Sequence, residues 1–364
     1  MPTRTKAFDT LLFRNNLSTW YTQHARKLPW RGIHNPYKTW VSEIMLQQTR
    51  VAAVIEHYHD FLTRFPTVTA LAAASESDVL AAWSGLGYYR RARMMHKAAQ
   101  FVAEHLDGII PTTSTELRKL SGIGDYTCAA IASICYGESI AVVDGNVERV
   151  LLRITGRPED TTSAGKAFIQ QQAAALVPPR LIDDSTNAAG DHNQAMMELG
   201  ATICLPRGPL CLQCPVYDLC ITRGEHLTAP RGKARTLPAA YLLETRTRKH
   251  ITEVLLEQRP AEASLMAGMY ELPPLPADTV IGREPVLSLR HAITNTIYVV
   301  QIFESTDTTL RANIPASKTM LHWTSTAELA QLPLTGLARK VLQRLKIMSP
   351  RSQPQPLLEA LNKS

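Results

Sequence analysis

The chain has 364 residues, 45% hydrophobic and 20% charged, with a formal net charge of +7. That length suits two domains each burying its own core, and the composition excludes a disordered or fibrous chain. No eighteen-residue apolar run or apolar leader is read from it, so the expected compartment is the cytoplasm (nucleoid-associated in a bacterium), and the surplus positive charge suits a polyanion such as DNA.

Residues 1–225 are expected to form one mainly helical domain, with Ala and Leu recurring at three- and four-residue spacing. Turn signals interrupt the helices at Leu28-Pro29-Trp30-Arg31-Gly32, Asn35-Pro36, Phe65-Pro66, Gly85-Leu86-Gly87 and Ser121-Gly122-Ile123-Gly124. Glu43 lies in Trp40-Val41-Ser42-Glu43-Ile44-Met45-Leu46-Gln47-Gln48-Thr49. A helix glutamate is ordinarily solvated, but Val41, Ile44 and Met45 place this one near an apolar wall, where burial keeps a carboxyl protonated. Further on, Gly85-Leu86-Gly87-Tyr88-Tyr89 runs into Arg90-Arg91-Ala92-Arg93, which suits phosphate contacts as well as it suits a solvated helix face.

The run Leu117-Arg118-Lys119-Leu120-Ser121-Gly122-Ile123-Gly124-Asp125-Tyr126-Thr127 reads as two helices joined by a tight turn. Gly122 and Gly124 permit positive φ and close backbone approach, and the second helix opens with N–H groups able to cradle a phosphate. Asp144, in Val142-Val143-Asp144-Gly145-Asn146-Val147-Glu148-Arg149-Val150, stands at a helix start. There it caps the helix, and it is also the carboxylate that a cationic sugar needs nearby. Four of the six cysteines close this half with the spacing Cys204-x6-Cys211-x2-Cys214-x5-Cys220. In a reducing compartment four thiolates without histidine fit a cubane iron–sulfur cluster or a structural zinc, and disulfides less well.

Residues 226–238 read as a polar linker and 239–348 as a smaller α+β domain, with strands expected over 239–243, 251–258 and 297–303 and a helix over 334–345. Residues 349–364, rich in Pro, Ser and Gln, read as a tail.

The hairpin and the cysteine spacing together resemble the helix-hairpin-helix glycosylases related to endonuclease III. The Leu28–Thr49 segments resemble their MutY-type adenine-specific branch. This resemblance implies a [4Fe–4S] cluster on Cys204, Cys211, Cys214 and Cys220, and double-stranded DNA carrying adenine opposite 8-oxoguanine or guanine as partner, bound by a monomer. It implies that Glu43 protonates adenine at N7 and then activates water. It also implies that Asp144 stabilises the sugar cation, by its charge or by an adduct that would retain configuration, with Tyr126 and Asn146 supporting the pair by hydrogen bonding. Arg31 and Gln194 match positions that contact the flipped adenine, and Gln48, Thr49, Leu86 and Tyr88 match positions around the opposite oxidised guanine. Bifunctional relatives carry a lysine where this chain has Tyr126, and a phenol forms no Schiff base, so the resemblance implies a monofunctional enzyme. Leu86 and Tyr88 are equally compatible with a hydrophobic core.

The C-terminal half resembles the Nudix-like lesion-recognition domain of the same branch, through Leu265-Met266-Ala267-Gly268-Met269-Tyr270-Glu271-Leu272-Pro273, Arg290-His291 and Pro333-Leu334-Thr335, and it lacks the glutamate run of Nudix hydrolases. Two departures stand out. Arg207 is the single charged residue between the first two cysteines, and Ile293-Thr294-Asn295 replaces a Phe-Ser-His tip, with Thr294 keeping the hydroxyl. A reduced preference for oxidised guanine follows as an expectation. A thymine mismatch glycosylase and a non-catalytic DNA-binding scaffold are the competing readings; the Glu43 segment argues against the first, and the presence of both Glu43 and Asp144 against the second.

Overall fold

The computed structural model describes residues 8–180, 187–228, 234–293, 295–305, 308–314 and 320–349. The helical stretch runs α1 (Thr10–His24), α2 (Pro36–Leu46), α3 (Val51–Arg64), α4 (Val68–Ala73), α5 (Glu76–Trp83), α6 (Arg90–His105), α7 (Ser114–Leu117), α8 (Asp125–Tyr136), α9 (Gly145–Thr155), α10 (Ser163–Leu176) and α11 (Ala188–Thr202). Local chemistry sets these starts. Asp9, Asn35, Ser75, Thr113, Thr162 and Asn187 each accept a backbone N–H at a helix N-cap, and Pro36 follows its Asn at the first helical position. Strands follow: β1 (Arg235–Leu243), β2 (Thr245–Arg248), β3 (Ile251–Gln258), β4 (Tyr270–Glu271), β5 (Pro274–Leu275), β6 (Leu287–Ile293) and β7 (Thr296–Glu304), then α12 (Thr308–Ala312), β8 (Met320–Ser325) and α13 (Gly336–Arg344). No helix among the described residues is long and apolar enough to cross a membrane.

The chain forms two compact units, Met1–Gln47 with Phe101–Arg231, and Gln48–Gln100 with Gly232–Ser364. In the first, α1, α9, α10 and α11 share a core containing Phe13, Leu17, Leu151, Ile169 and Leu199. A smaller cluster of Ala129, Ala130, Ile134 and Val142, with Tyr126 and Met197 against it, backs α8.

In the second unit β1 lies parallel to β7 from Arg235↔Thr296 to Leu243↔Glu304, in a four-stranded sheet of order β5-β1-β7-β6. β3 pairs antiparallel with β2, β4 and β8 in the other sheet. Leu243, Val254, Leu256, Val300, Ile302 and Leu337 fill the core that α13 covers.

The units divide the sequence differently from a boundary at residue 225. Residues 48–100 are helical as expected, yet they associate with the strand-rich half. Ser84 Oγ donates to the Leu334 carbonyl at 2.7 Å, Tyr89 OH reaches the same oxygen at 3.2 Å, and Arg339 Nε donates to Ser84 Oγ at 2.9 Å. The expected strands and helix appear at Ile251–Gln258, Thr296–Glu304 and Gly336–Arg344. The linker needs correcting, since Arg235–Pro238 belong to β1. Pro238 signalled a break, but β5 pairs with β1 only at Ala240 and Tyr241, so Pro238 sits where the strand has one neighbour and its missing N–H is tolerated. Thr294 and residues 350–364 lie outside the described residues.

Candidate active site

Asn35 and Pro36 start α2 so that Glu43 faces inward among Trp40, Val41, Ile44 and Met45, leaving it 5% exposed. Tyr126, in the first turn of α8, donates its hydroxyl to Glu43 Oε2 at 2.5 Å, with Met197 Sδ 3.3 Å from the same hydroxyl. Burial pushes the Glu43 carboxyl up to about 7, against the hydrogen bond from Tyr126 that favours the carboxylate; the nearby Asp144 raises it further and Arg31 opposes. Burial likewise holds the Tyr126 phenol well above its ordinary range, so it remains a donor.

Asp144 caps α9. Its Oδ1 accepts the backbone N–H groups of Asn146 and Val147 at 2.9 and 2.8 Å, and Asn146 Nδ2 donates to Oδ2 at 2.8 Å. The segment leading to it is pinned by buried Asn193, whose Oδ1 accepts from Val142 N and whose Nδ2 donates to the Ile140 carbonyl. Asn146 also packs on α11 at Gly200, where a Cβ would stand 2.6 Å from Asn146 Cβ, so only glycine permits the approach. Glu43, Tyr126, Asp144, Asn146 and Arg31 are therefore brought into one neighbourhood. Gln194 is half-buried on α11, one turn before Met197.

At the hairpin Gly122 has φ +79°, as the turn requires, whereas Gly124 has φ −94° and needs no glycine for its backbone. Gly124 is the N-cap of α8, no side chain caps that terminus, and a Cβ on it would meet nothing within 4 Å. The first turn of the helix is thus open to an approaching group.

Within the second unit Gln48 is exposed, Leu86 is buried at 5% and Tyr88 is 47% exposed. Burial of Leu86 agrees with the core alternative for that residue. The arginines after the loop need correcting as a phosphate-facing row. Arg91 turns inward to Thr49 Oγ1, and Arg93 pairs with Glu76 at 2.8 Å and with the Ala267 carbonyl, leaving Arg90 exposed.

Cys204, Cys211, Cys214 and Cys220 carry free thiols and line one cavity with Arg153, Ile203, Pro209 and Tyr217, of about 300 Å³ counting its open mouth. Among the described residues no group of three His, Cys, Asp or Glu is gathered as a single metal ion would need. Arg153, itself buried, points Nη1 at Cys204 Sγ at 3.3 Å, and Arg223 N points at Cys220 Sγ at 3.4 Å.

Residues 41–178 match the HhH-GPD superfamily of base excision DNA repair proteins. The chain is 37% identical over 242 residues to the adenine DNA glycosylase of Mycobacterium tuberculosis, covering 66% of this chain and 77% of that one. It belongs to the adenine DNA glycosylase family. The human adenine DNA glycosylase is 46% identical over 224 residues, 59% of this chain. The family's mammalian members are longer, and the match spans 40% of the human and 45% of the rat protein. A thermostable thymine-DNA glycosylase structure superposes with a TM-score of 0.52 at 27% identity, over 59% of this chain and 96% of that one.

In this adenine DNA glycosylase family member, sequence reading passed over Glu198 and Arg149. Glu198 is 1% exposed and accepts from Arg26 at 2.7 Å and from Arg31 at 2.6 Å. Burial works against its charge, but the two guanidinium groups win and draw it down to about 2. Arg31 is thereby aimed by a buried carboxylate. Arg149 donates to Asn146 Oδ1 at 2.8 Å, the Gly200 carbonyl at 2.7 Å and the Cys204 carbonyl at 2.8 Å. A charged residue inside an apolar helix stripe was the available signal in both places: α11 buries Met196 and Leu199 beside Glu198, and α9 buries Val150 and Leu151 beside Arg149.

Proposed function

We propose that this chain removes adenine paired with 8-oxoguanine or guanine from double-stranded DNA, as a monomeric and monofunctional glycosylase. The observation that carries the reading is the buried Glu43 carboxyl, poised near 7 under the Tyr126 hydroxyl and beside Asp144. A base in the stack must first be extruded, at a cost of about a few kcal/mol. Glu43 then gives its proton to adenine N7 as the bond between sugar C1′ and N9 breaks and its electrons leave with the base. Asp144, held by three hydrogen bonds, stabilises the cationic sugar by its charge or by an adduct at C1′. Water attacks C1′ and returns a proton to Glu43, restoring the acid. No amine stands where Tyr126 does, so no Schiff base forms and the strand stays intact.

The remaining roles follow the same reading. Arg31, aimed by Glu198, and Gln194 receive the extruded adenine. Gly122, Gly124 and the open first turn of α8 take a backbone phosphate. Gln48, Thr49, Leu86 and Tyr88 surround the opposite base, together with Thr294 from the C-terminal half. That half, with two packed sheets under α13, is read as a Nudix-like domain that binds and does not hydrolyse. Cys204, Cys211, Cys214 and Cys220 would hold a [4Fe–4S] cluster, which four free thiols around one cavity and N–H groups aimed at two of the sulfurs support. When bound, the cluster supplies a covalent cross-link within the Cys204–Cys220 segment that follows α11. Iron and acid-labile sulfide analysis of the purified protein tests it, and zinc in their place would overturn it.

The activity is tested on duplexes with adenine opposite 8-oxoguanine, guanine, cytosine or thymine under single turnover, half of each sample being treated with alkali. Alkali-dependent breaks opposite 8-oxoguanine and guanine, lost in Glu43→Gln, are expected. No adenine release from any duplex would sink the reading and turn attention to G·T mismatches.

A further inference from the structure

Arg91 occupies a place that a DNA-facing arginine would not. Its Nη2 lies 3.2 Å from Thr49 Oγ1, 3.3 Å from the Gly87 carbonyl and 3.4 Å from the Leu86 carbonyl. Its guanidinium carbon is 5.6 Å from the Trp83 ring centroid and 5.4 Å from that of Tyr88. One planar cation therefore touches both short segments assigned to the opposite base, 48–49 and 86–88. Burial draws its pKa down to about 10, the sign of a charge partly withdrawn from water to make these contacts.

Both segments need such a fastening. Gln48 has φ 55° and Tyr88 has φ 49°, a left-handed backbone that a side-chain-bearing residue keeps only where its surroundings impose it. Trp83 Nε1 also donates to the Gly87 carbonyl, at 3.1 Å, but reaches only the second segment. The Arg91 guanidinium reaches both through one nitrogen, Nη2, while its planar head lies against Trp83 and Tyr88, a combination that an ammonium does not reproduce.

We infer that Arg91 is a positioning residue for opposite-base discrimination: it holds Thr49 and the Leu86-Gly87-Tyr88 turn in one arrangement before DNA arrives, without touching the base. Fixing the loops beforehand removes an ordering cost from recognition of the lesion, and the strained turn is kept where Tyr88 can use it. The inference rests on the adenine-glycosylase reading.

The test compares single-turnover adenine release opposite 8-oxoguanine and opposite guanine for the full-length protein, Arg91→Met and Arg91→Lys. In Arg91→Met the rate opposite 8-oxoguanine falls more than the rate opposite guanine, and the preference drops about tenfold, equivalent to about 1.4 kcal/mol. Arg91→Lys, which keeps the charge near the two rings but loses the planar guanidinium, recovers part of that preference. Equal losses on both duplexes would show a merely structural role and overturn the inference, as would an unchanged preference. If Arg91→Met does not fold, Arg91→Lys decides alone: a lowered preference supports the inference and an unaltered one overturns it. No adenine release by the unmodified protein would instead overturn the underlying reading, and this inference with it.

Discussion

In the unit that holds Glu43, burial raises the Glu43 carboxyl, the Tyr126 hydroxyl meets it directly, and Asp144 is held by hydrogen bonds from the start of α9. In the unit that holds Gln48 and Tyr88, those two candidate residues are exposed and sit on left-handed backbone, with Thr49 half-buried and Leu86 buried behind them. On the proposed roles, the difference follows from the tasks. Proton transfer to a base gains from a low-dielectric pocket in which a carboxyl stays neutral at ordinary pH. Reading a base inside a duplex needs groups that stand out of the surface, so rigidity must come from behind them, as Arg91 and the Leu334 carbonyl provide.

The sharpest way to break this comparison is Glu43→Gln. It keeps shape and removes the acid, so adenine release is expected to fall about 10³-fold or more while duplex binding persists. The same change also tests burial. Because burial raises the folded pKa of Glu43 from 4.5 to about 7, its stabilising share is complete below pH 4.5 and lost as pH rises through 7. Glu43→Gln should therefore melt higher than the unmodified protein at pH 8, by up to about 3 kcal/mol, and much closer to it at pH 4. Asp144→Asn comes next. Asn caps a helix as well as Asp, so the melting temperature should hold while release slows about 10²- to 10³-fold, whereas Asp144→Ala should also lose about 1 kcal/mol of stability.

Tyr126→Phe is expected to act mainly on pH dependence. Release falls as pH rises through the Glu43 pKa, and the lost hydrogen bond favoured the carboxylate, so the alkaline limb moves to higher pH. The loss of rate at pH 6 should be about tenfold or less. The smallest effect sharpens the other side. Gln48→Gly relieves a left-handed residue and should raise stability by about 1 kcal/mol, while the preference for 8-oxoguanine falls a few-fold. Thermal melting set beside the duplex panel reads both, and a variant that melts lower would mean that Gln48 is not strained.

Much of this was legible in the sequence because the signals were local. Caps, prolines and periodicity placed α2, α8, α9, β3 and β7, and the apolar flanks of Glu43 foretold its burial. What stayed hidden was long-range. Glu198 meets Arg26 and Arg31 more than 160 residues away, and nothing near Glu198 names those partners. The inward turn of Arg91 depends on Trp83, Thr49 and Tyr88 converging, which a row of arginines does not announce. Pro238 misled because edge position in a sheet is a property of the partner strands.

The Leu334 carbonyl has a consequence for how the protein is made. It receives Ser84 and Tyr89, the residues on either side of the Gly85–Tyr88 loop, and Ser84 precedes it by 250 positions. At about 5–20 residues per second, the ribosome delivers that anchor roughly 10–50 seconds after the loop has emerged. Well before that interval ends every residue proposed for the chemistry has been synthesised, while the loop proposed to judge the opposite base still lacks its fastening. A nascent chain would thus acquire its cutting groups before its discrimination.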